Sequence, residues 1–266
     1  EHFMKQLSRI CLSPLRIAFD HVGLMKPYEQ AVRYASASGL NFLSNYMLYN
    51  FHDTPNDLYQ RMRINVTLNE ELGTKIYSFP MRYQPTDRPD RGFVGKNWYR
   101  HYLRSMQVIL QATHGVVSGA PDFFKKAFGE TEEEYIQILR MPHKFIFNRD
   151  WFEHYGGRPE YDEFLSEFKK LTEEEISELM TFLSTHNNSE IDQNLKYLDN
   201  SKIKNITSYY KNLSTDASKA IWDKQKSIKS EKLNLLMAND EIVEDAGLDH
   251  DPEKETIEEF KRVIQR

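Results

Sequence analysis

The segment of residues 41–83 constrains the fold most, because it alternates an apolar run, a polar exit, a capped helix and a second apolar run. The first run covers 42–49 and stops at Asn-Phe-His-Asp in 50–53. Residues 54–57, Thr-Pro-Asn-Asp, then combine an N-cap residue, a proline and an acid in the order in which helices begin. The pattern predicts one βαβ unit and therefore a parallel sheet.

The segment before it has the same layout. Residues 15–19 form a short apolar run with the polar exit Asp20-His21, and a helix is predicted over 28–38, ending at a glycine. A third strand is predicted over 75–79 and leads into a loop rich in proline. Consecutive strands joined by helices predict a parallel sheet with right-handed crossovers. Ligands of such sheets bind at the carboxyl ends of the strands, so the polar exits form the candidate site.

The order of these elements resembles the fourth to sixth strands of the radical S-adenosylmethionine (SAM) enzymes. The fifth strand of those enzymes carries a loose G-x-I-x-G-x-x-E pattern, and the equivalent register here is Tyr46-x-Leu48-x-Asn50-x-x-Asp53. Asp53 stands in the acid's place and Leu48 in the aliphatic one, but neither glycine is kept. The phrases LRIAFDH, LSNYMLYNFHDTPNDLYQR, FPMRYQP, FFKKAFG and ILRMP also resemble the C-terminal half of a group of uncharacterised bacterial radical SAM proteins, over roughly residues 7–149.

The resemblance implies an α/β fold with a partial parallel (β/α) barrel, made of the last strands of a radical SAM-type barrel, followed by a mainly helical C-terminal region. We expect the partial barrel to occupy residues 1–97, a helical extension packed on it to occupy 98–184, and a charged helical tail to occupy 185–266. Within the extension, 115–119 is typical of a turn and 143–148 of a short strand or extended segment.

The family holds its [4Fe-4S] cluster with a C-x-x-x-C-x-x-C loop, whereas the one cysteine of this chain is Cys11. We therefore expect the cluster only if an N-terminal part outside this chain supplies the cysteines. A start without an initiator methionine favours the carboxyl part of a longer enzyme, and a cysteine-free relative that keeps the half-barrel for binding is the alternative. The resemblance implies that the parent enzyme cleaves SAM to a 5′-deoxyadenosyl radical, which abstracts a hydrogen atom from an unidentified substrate.

The resemblance also implies which residues bind the cofactor and which face the substrate. The cofactor-binding residues are Asp20, His21, Leu48, Asn50, Asp53 and Thr54. Asp20 or His21 would approach the ribose. Leu48 and the backbone around Asn50 would line the adenine, and Asp53 with Thr54 would shape the loop beneath. At the end of the next strand, Arg82 and Tyr83 would face a small-molecule or peptide substrate.

Each of these residues also has a purely structural alternative. Asp53 and Thr54 could serve only as a helix cap, worth about 1 kcal/mol. Asp20 and His21 could bond only to neighbouring backbone. Arg82 belongs to a basic cluster that is either solvated or a site for a phosphate or carboxylate group, to which arginine presents a bidentate fork. The cluster comprises Arg82, Arg88, Arg91, Lys96 and Arg100.

Two further function classes fit the sequence. A barrel-type metal-dependent hydrolase would use Asp20-His21 and His52-Asp53, which offer carboxylate and imidazole ligands at successive strand ends. Adjacent residues of a strand point to opposite faces, so only one member of each pair would reach a metal. The other class is a non-catalytic half-barrel and helical scaffold that binds a partner protein through the charged tail.

Composition indicates the cellular location and the classes of partner that the sequence favours. The formal net charge of -5 argues against a nucleic-acid partner. No apolar run approaches the roughly 20 residues that a membrane helix needs. A single cysteine fits a reducing compartment. We therefore expect a cytoplasmic protein without a membrane contact.

Overall fold

The computed structural model describes residues 2–10, 13–87, 90–186 and 190–240. Contacts divide the chain into two units, Glu1–Ser214 and Thr215–Arg266, which are described separately below. The boundaries expected after residues 97 and 184 fall within the first unit. Cys11, Arg88 and the part of the tail beyond Asp240 lie outside the described residues.

Four strands of the first unit form one sheet in the order β1-β2-β3-β4. They are β1 (Leu15–Arg16), β2 (Phe42–Tyr49), β3 (Lys75–Arg82) and β4 (Val117–Ser118). The first three are parallel, which confirms the prediction from the βαβ layout, and β4 runs antiparallel to β3 in the segment expected to be a turn. β1 is shorter than the predicted strand, although the N–H groups of Ile17 and Phe19 still donate to β2 carbonyls at 3.0 and 3.2 Å.

Helices make up most of the remaining described residues. The N-terminal helix and the two that connect the strands are α1 (His2–Leu7), α2 (Met25–Ala37) and α3 (Pro55–Leu72). Those that follow the β3 loop are α4 (Arg100–Ala112), α5 (Pro121–Phe128), α6 (Glu132–Arg140), α7 (His143–Phe147), α8 (Arg149–His154), α9 (Arg158–Phe168), α10 (Glu173–Thr185), α11 (Ile191–Asn194) and α12 (Ser201–Thr207). Short 3-10 helices lie at Val22–Leu24, Leu195–Tyr197 and Ser208–Tyr210.

The described part of the second unit is a single helix, α13 (Thr215–Asp240). Its sequence mixes lysine with acidic residues. Trp222 lies on its surface with 62% of its area exposed. No helix in the described part of either unit is long and apolar enough to cross a membrane.

Local signals set both ends of α3. The Thr54 hydroxyl accepts from Asp57 N at 3.1 Å, and the Asp57 carboxylate accepts from Thr54 N at 2.8 Å. This capping box gives acceptors to two N–H groups that the first turn would otherwise leave without partners. At the other end, Gly73 has φ 63°, the left-handed conformation that glycine adopts at low cost. The prediction of a capped helix between β2 and β3 is confirmed.

Helices α2 and α3 cover the same face of the sheet. Tyr28 of α2 donates its hydroxyl to Asn65 Oδ1 of α3 at 2.7 Å and accepts from Asn45 Nδ2 of β2 at 2.7 Å. Asn65 Nδ2 donates in turn to Ser78 Oγ of β3 at 2.8 Å. Asn45 and Ser78 are register partners, and all four residues are buried. Because one hydrogen-bonded network joins both helices to both strands, the two helices lie on one side.

The opposite face of the sheet is exposed towards the carboxyl ends of the strands. Tyr46 is 40% exposed and Met81 is 51% exposed. Leu48 is the register partner of Met81 and is half-buried. These three residues, Tyr46, Leu48 and Met81, are called the exposed sheet face below. They give this edge of the molecule an apolar surface next to the polar exits of the strands.

A buried pair of histidines lies between α4 and α7. The rings of His101 and His143 stack with their centroids 4.4 Å apart, and His101 Nε2 lies 3.0 Å from Met141 O. His143 begins α7, so the short strand expected over 143–148 is wrong. A helix puts Phe145 inside and leaves Phe147 56% exposed, whereas a strand would put both on one face. So short an apolar run does not reveal its period.

This pair makes the stability of the first unit depend on pH. Burial, aided by repulsion from His143, holds the pKa of His101 well below its ordinary value, and burial lowers the pKa of His143 from 6.5 to about 4. The unfolded chain therefore binds more protons than the folded one as pH falls below 6.5, and stability is lost between that pH and about 4.

We expect His143→Gln to flatten this pH dependence. Between pH 6.5 and 5 the parent chain should lose about 2 kcal/mol more unfolding free energy than the variant, because one histidine contributes about 1.4 kcal/mol per pH unit. Urea unfolding at several pH values measures this. His154→Gln is the control, because His154 is 64% exposed and its removal should leave the slope unchanged. Equal slopes in the parent and His143→Gln would contradict the prediction.

Candidate functional site

Arg61 of α3 joins the carboxyl ends of β1 and β2. Its side chain is fully buried, and Nη1 donates to Phe19 O at 3.1 Å and to Leu48 O at 2.9 Å. Nη2 donates to Asp53 Oδ2 at 2.8 Å, which forms a buried ion pair. Nε donates to Asp57 O, one turn earlier in the helix, at 3.2 Å. The guanidinium therefore fixes both strand ends against the start of α3.

Asp53 is buried by the same arrangement. Its Oδ1 accepts from Phe51 N at 3.0 Å, and its carbonyl accepts from Trp98 Nε1 at 2.9 Å. Burial raises the pKa of the Asp53 carboxyl, while the Phe51 N–H and the charge of Arg61 oppose that rise. Both carboxylate oxygens are thus engaged by the protein. Asp53, predicted to shape the loop beneath the cofactor, is held by bonds that leave its carboxylate turned inward.

Asn50 holds the loop that follows β3. Its Oδ1 accepts from Gly95 N at 2.7 Å, and its Nδ2 donates to Tyr83 O and Phe93 O at 3.2 Å each. Its φ of 69° is left-handed, a conformation that asparagine tolerates better than most residues. A Cβ at Gly95 would come within 2.9 Å of the carbonyls of Asn50 and Phe51, so the loop needs glycine there. The Asn50 side chain faces the loop rather than solvent.

Asp20 and Leu48 bring the exits of the first two strands together on the exposed side. Asp20 Oδ1 accepts from Leu48 N at 3.0 Å, and Asp20 is exposed. Its second oxygen has no hydrogen-bond partner among the described residues. His21 lies next to it and uses Nδ1 to accept from Gly23 N at 3.0 Å, which caps the short 3-10 helix. Thr54 remains a helix cap.

Arg82 and Tyr83 lie on opposite sides of the end of β3, because successive strand residues alternate. Arg82 follows the alternation of the helix-covered face, and its Nη2 donates to Phe93 O at 2.8 Å and Arg91 O at 3.3 Å. Tyr83 follows the alternation of the exposed sheet face, and its ring centroid lies 4.4 Å from that of Phe51 and 5.5 Å from that of Phe93. Of the two residues predicted to face the substrate, Tyr83 therefore follows the exposed side of the sheet and Arg82 the helix-covered side.

One residue of each His/Asp pair considered as a metal ligand is held by other bonds. Asp53 pairs with Arg61, and His21 caps a helix. His52 is exposed with its ring 3.8 Å from that of Phe51. In the parts of the chain that the structure describes, no group of three or more His, Cys, Asp and Glu side chains is arranged to hold a metal ion.

Sequence reasoning missed Arg61 and Trp98, which hold the strand exits in position. Arg61 carries a weak signal, since it falls three residues after Leu58 and four before Asn65 on the buried stripe of α3. An arginine on such a stripe is buried only if its charge is paired. Trp98 precedes α4 and donates to the backbone of Asp53.

Comparison with models of protein families, with curated proteins and with solved structures finds no match for this chain. The site is therefore interpreted from its own geometry and from the resemblance of its sequence register.

We expect Asn50→Ala to destabilise the chain by about 2–3 kcal/mol. It removes a buried side chain with three hydrogen bonds and puts alanine in a left-handed conformation. Asn50→Gly should cost about 1 kcal/mol less, since glycine adopts that conformation freely. Urea unfolding measures both. The exposed Asn41→Ala is the control and should stay within about 0.5 kcal/mol of the parent. Equal effects of the alanine and glycine variants would contradict the role of the backbone.

Proposed function

We propose that residues 2–97 are part of a (β/α) barrel of the radical SAM type and bind SAM at the carboxyl ends of the strands. The order of the strands in the sheet supports the assignment to a barrel. β1, β2 and β3 are parallel neighbours in chain order, and α2 and α3 lie on one face. Barrels have this arrangement, whereas doubly wound sheets reverse their order and carry helices on both faces.

The two edges of the sheet support the interpretation of β1, β2 and β3 as the last strands of a barrel. β4 pairs with β3 over two residue pairs and runs antiparallel, which ends the parallel series on that side. The other edge is β1, which is parallel to β2. A barrel would therefore continue beyond β1, with strands that precede it in the fold. This is the arrangement that the resemblance to the fourth to sixth strands implies.

The exposed sheet face and Asp20 support the adenosyl group as the ligand. Tyr46, Leu48 and Met81 offer an apolar surface to a flat base. Asp20 offers a carboxylate oxygen that can accept hydrogen bonds from ribose hydroxyls. Asn50 has a left-handed backbone at the position where the family register has its second glycine. Asn50 therefore keeps the conformation that this glycine would allow.

The iron–sulfur cluster does not fit the residues of this chain. Its iron is held by cysteine thiolates, and the chain has the single Cys11. We propose that the cysteines come from an N-terminal part outside this chain, and we derive no reaction step for the chain alone. Its own contribution is to bind and orient SAM and a small-molecule or peptide substrate beside Tyr83. A cytoplasmic location belongs to the same proposal and is supported by the single cysteine.

A non-catalytic scaffold is the second candidate function. It is favoured by the use of the polar strand exits for internal bonds: the carboxylate of Asp53, the amide of Asn50 and the hydroxyl of Thr54 all bind other parts of the chain. The partner would be a protein that contacts the exposed sheet face or the charged helix α13. The metal-dependent hydrolase has less support, because Asp53 and His21 are held in structural bonds.

Calorimetric titration with SAM tests the proposal on the chain as it stands. We expect the parent chain to bind SAM and Leu48→Asp to bind it at least about tenfold more weakly, because a carboxylate in the apolar surface would have to lose its water. Asp20→Asn should weaken binding less. Leu165→Asp in α9 is the control, since Leu165 is also half-buried. Absence of SAM binding by the parent, or equal weakening by both aspartate variants, would refute the proposal and leave the scaffold.

A further inference from the structure

The Arg82 guanidinium is half-buried beneath the loop that follows β3. Two loop carbonyls, those of Phe93 and Arg91, accept from its Nη2. Its Nε is buried and has no hydrogen-bond partner among the described residues. Gln84 Nε2 donates to the same Arg91 carbonyl as Arg82. The Oε1 of Gln84 is also buried without a hydrogen-bond partner among the described residues. A buried donor without an acceptor costs about 1–3 kcal/mol, and Arg82 Nε is such a donor.

Arg82 has a second cation beside it rather than an acid. Among the described residues, no carboxylate forms an ion pair with Arg82 or with Arg100. Burial lowers the pKa of Arg82, and the positive charge of Arg100 lowers it further, while Tyr49 opposes the change. Arg100 begins α4, whose N-cap residue Tyr99 gives no side-chain cap. The two guanidinium groups therefore lie near the same stretch of the loop, residues 91–93.

One acid lies close to this region. Asp90 Oδ1 accepts from Gly92 N at 3.2 Å. A Cβ at Gly92 would lie 3.5 Å from both Asp90 Oδ1 and Arg100 Nη2, so the acid and the guanidinium flank the same glycine. The Asp90 carboxylate is tied to the loop backbone through Gly92 N. The buried Nε of Arg82 remains without an acceptor.

We propose that Arg82 and Arg100 bind an oxyanion group, a carboxylate or a phosphate, carried by the substrate of the proposed barrel. Arginine suits this task because its planar fork matches the oxygens of such groups and its charge is permanent. The inference rests on the proposed function for the identity of the ligand as a substrate. The anion site itself is independent of SAM. It lies at the end of β3, on the opposite side of the strand from the Tyr83 side chain, where the loop of Arg91 and Phe93 covers the guanidinium.

Calorimetric titration with inorganic phosphate, and separately with acetate, tests the site at low ionic strength. Arg100→Gln should weaken binding of the preferred anion about tenfold, because it removes one charge-assisted partner. Arg104→Gln is the matched control, since Arg104 is exposed, lies one turn later on α4 and bonds to Gln107. Arg82→Lys keeps the charge and loses the fork, and should also weaken binding. Circular dichroism of each variant checks that the chain remains folded.

The outcomes are distinct. Binding by the parent that falls in Arg100→Gln and stays within about twofold in Arg104→Gln supports the site. Equal weakening by both glutamine variants indicates a general charge effect and overturns it, as does absence of binding of both anions to the parent. Titration with SAM and with 5′-methylthioadenosine, which lacks the carboxylate of SAM, shows whether the bound anion belongs to the cofactor or to the substrate. If the binding of SAM depends on Arg100 and that of 5′-methylthioadenosine does not, the anion is the carboxylate of the cofactor and the assignment to the substrate fails. Phosphate binding without SAM binding would refute the proposed function and leave the anion site.

Discussion

The buried guanidinium of Arg61 is the interaction on which the carboxyl edge of the sheet depends. It donates to the carbonyls at the ends of two strands and pairs with Asp53 just before α3. A buried charge is costly unless it is paired and hydrogen-bonded, and here the ion pair and the strand carbonyls provide both. Because these partners come from three separate segments, the side chain fixes the strand exits relative to each other. Asp20, Leu48 and Asn50 take their positions from that frame.

The frame also decides which residues remain available to a ligand. Asn50, Asp53 and Thr54 point inward and bind the loop or the helix start, so their contribution to any ligand site is indirect. The available groups are the exposed sheet face, one oxygen of Asp20, and the cationic pair near the end of β3. An apolar surface beside a carboxylate suits a flat base that carries hydroxyl groups, whereas Arg82 of the cationic pair follows the alternation of the helix-covered face.

Much of the α/β part follows from local sequence signals. The start of α3 was predictable because Thr54 and Asp57 form a capping box within one turn, and its end because Gly73 takes a left-handed conformation. β4 was not, since a strand of two residues has no period and depends on pairing with distant β3. The burial of Arg61 was equally hidden, because its acceptors are the carbonyls of Phe19, beyond the end of β1, and of Leu48 on β2. The polar exits were recognised, but their inward bonds depend on contacts as remote as Gly95 and Trp98.

A double-mutant cycle on Arg61 and Asp53, followed by urea unfolding, tests the central claim most directly. The account predicts that Arg61→Met and Asp53→Asn each cost about 3 kcal/mol or more, and that the double variant costs well below their sum, with a coupling of about 2 kcal/mol. The exposed pair Arg33–Glu71 is the reference, with its side chains 42% and 46% exposed, and should show little or no coupling because water screens its charges. Additive effects at Arg61 and Asp53, with no coupling, would contradict the account.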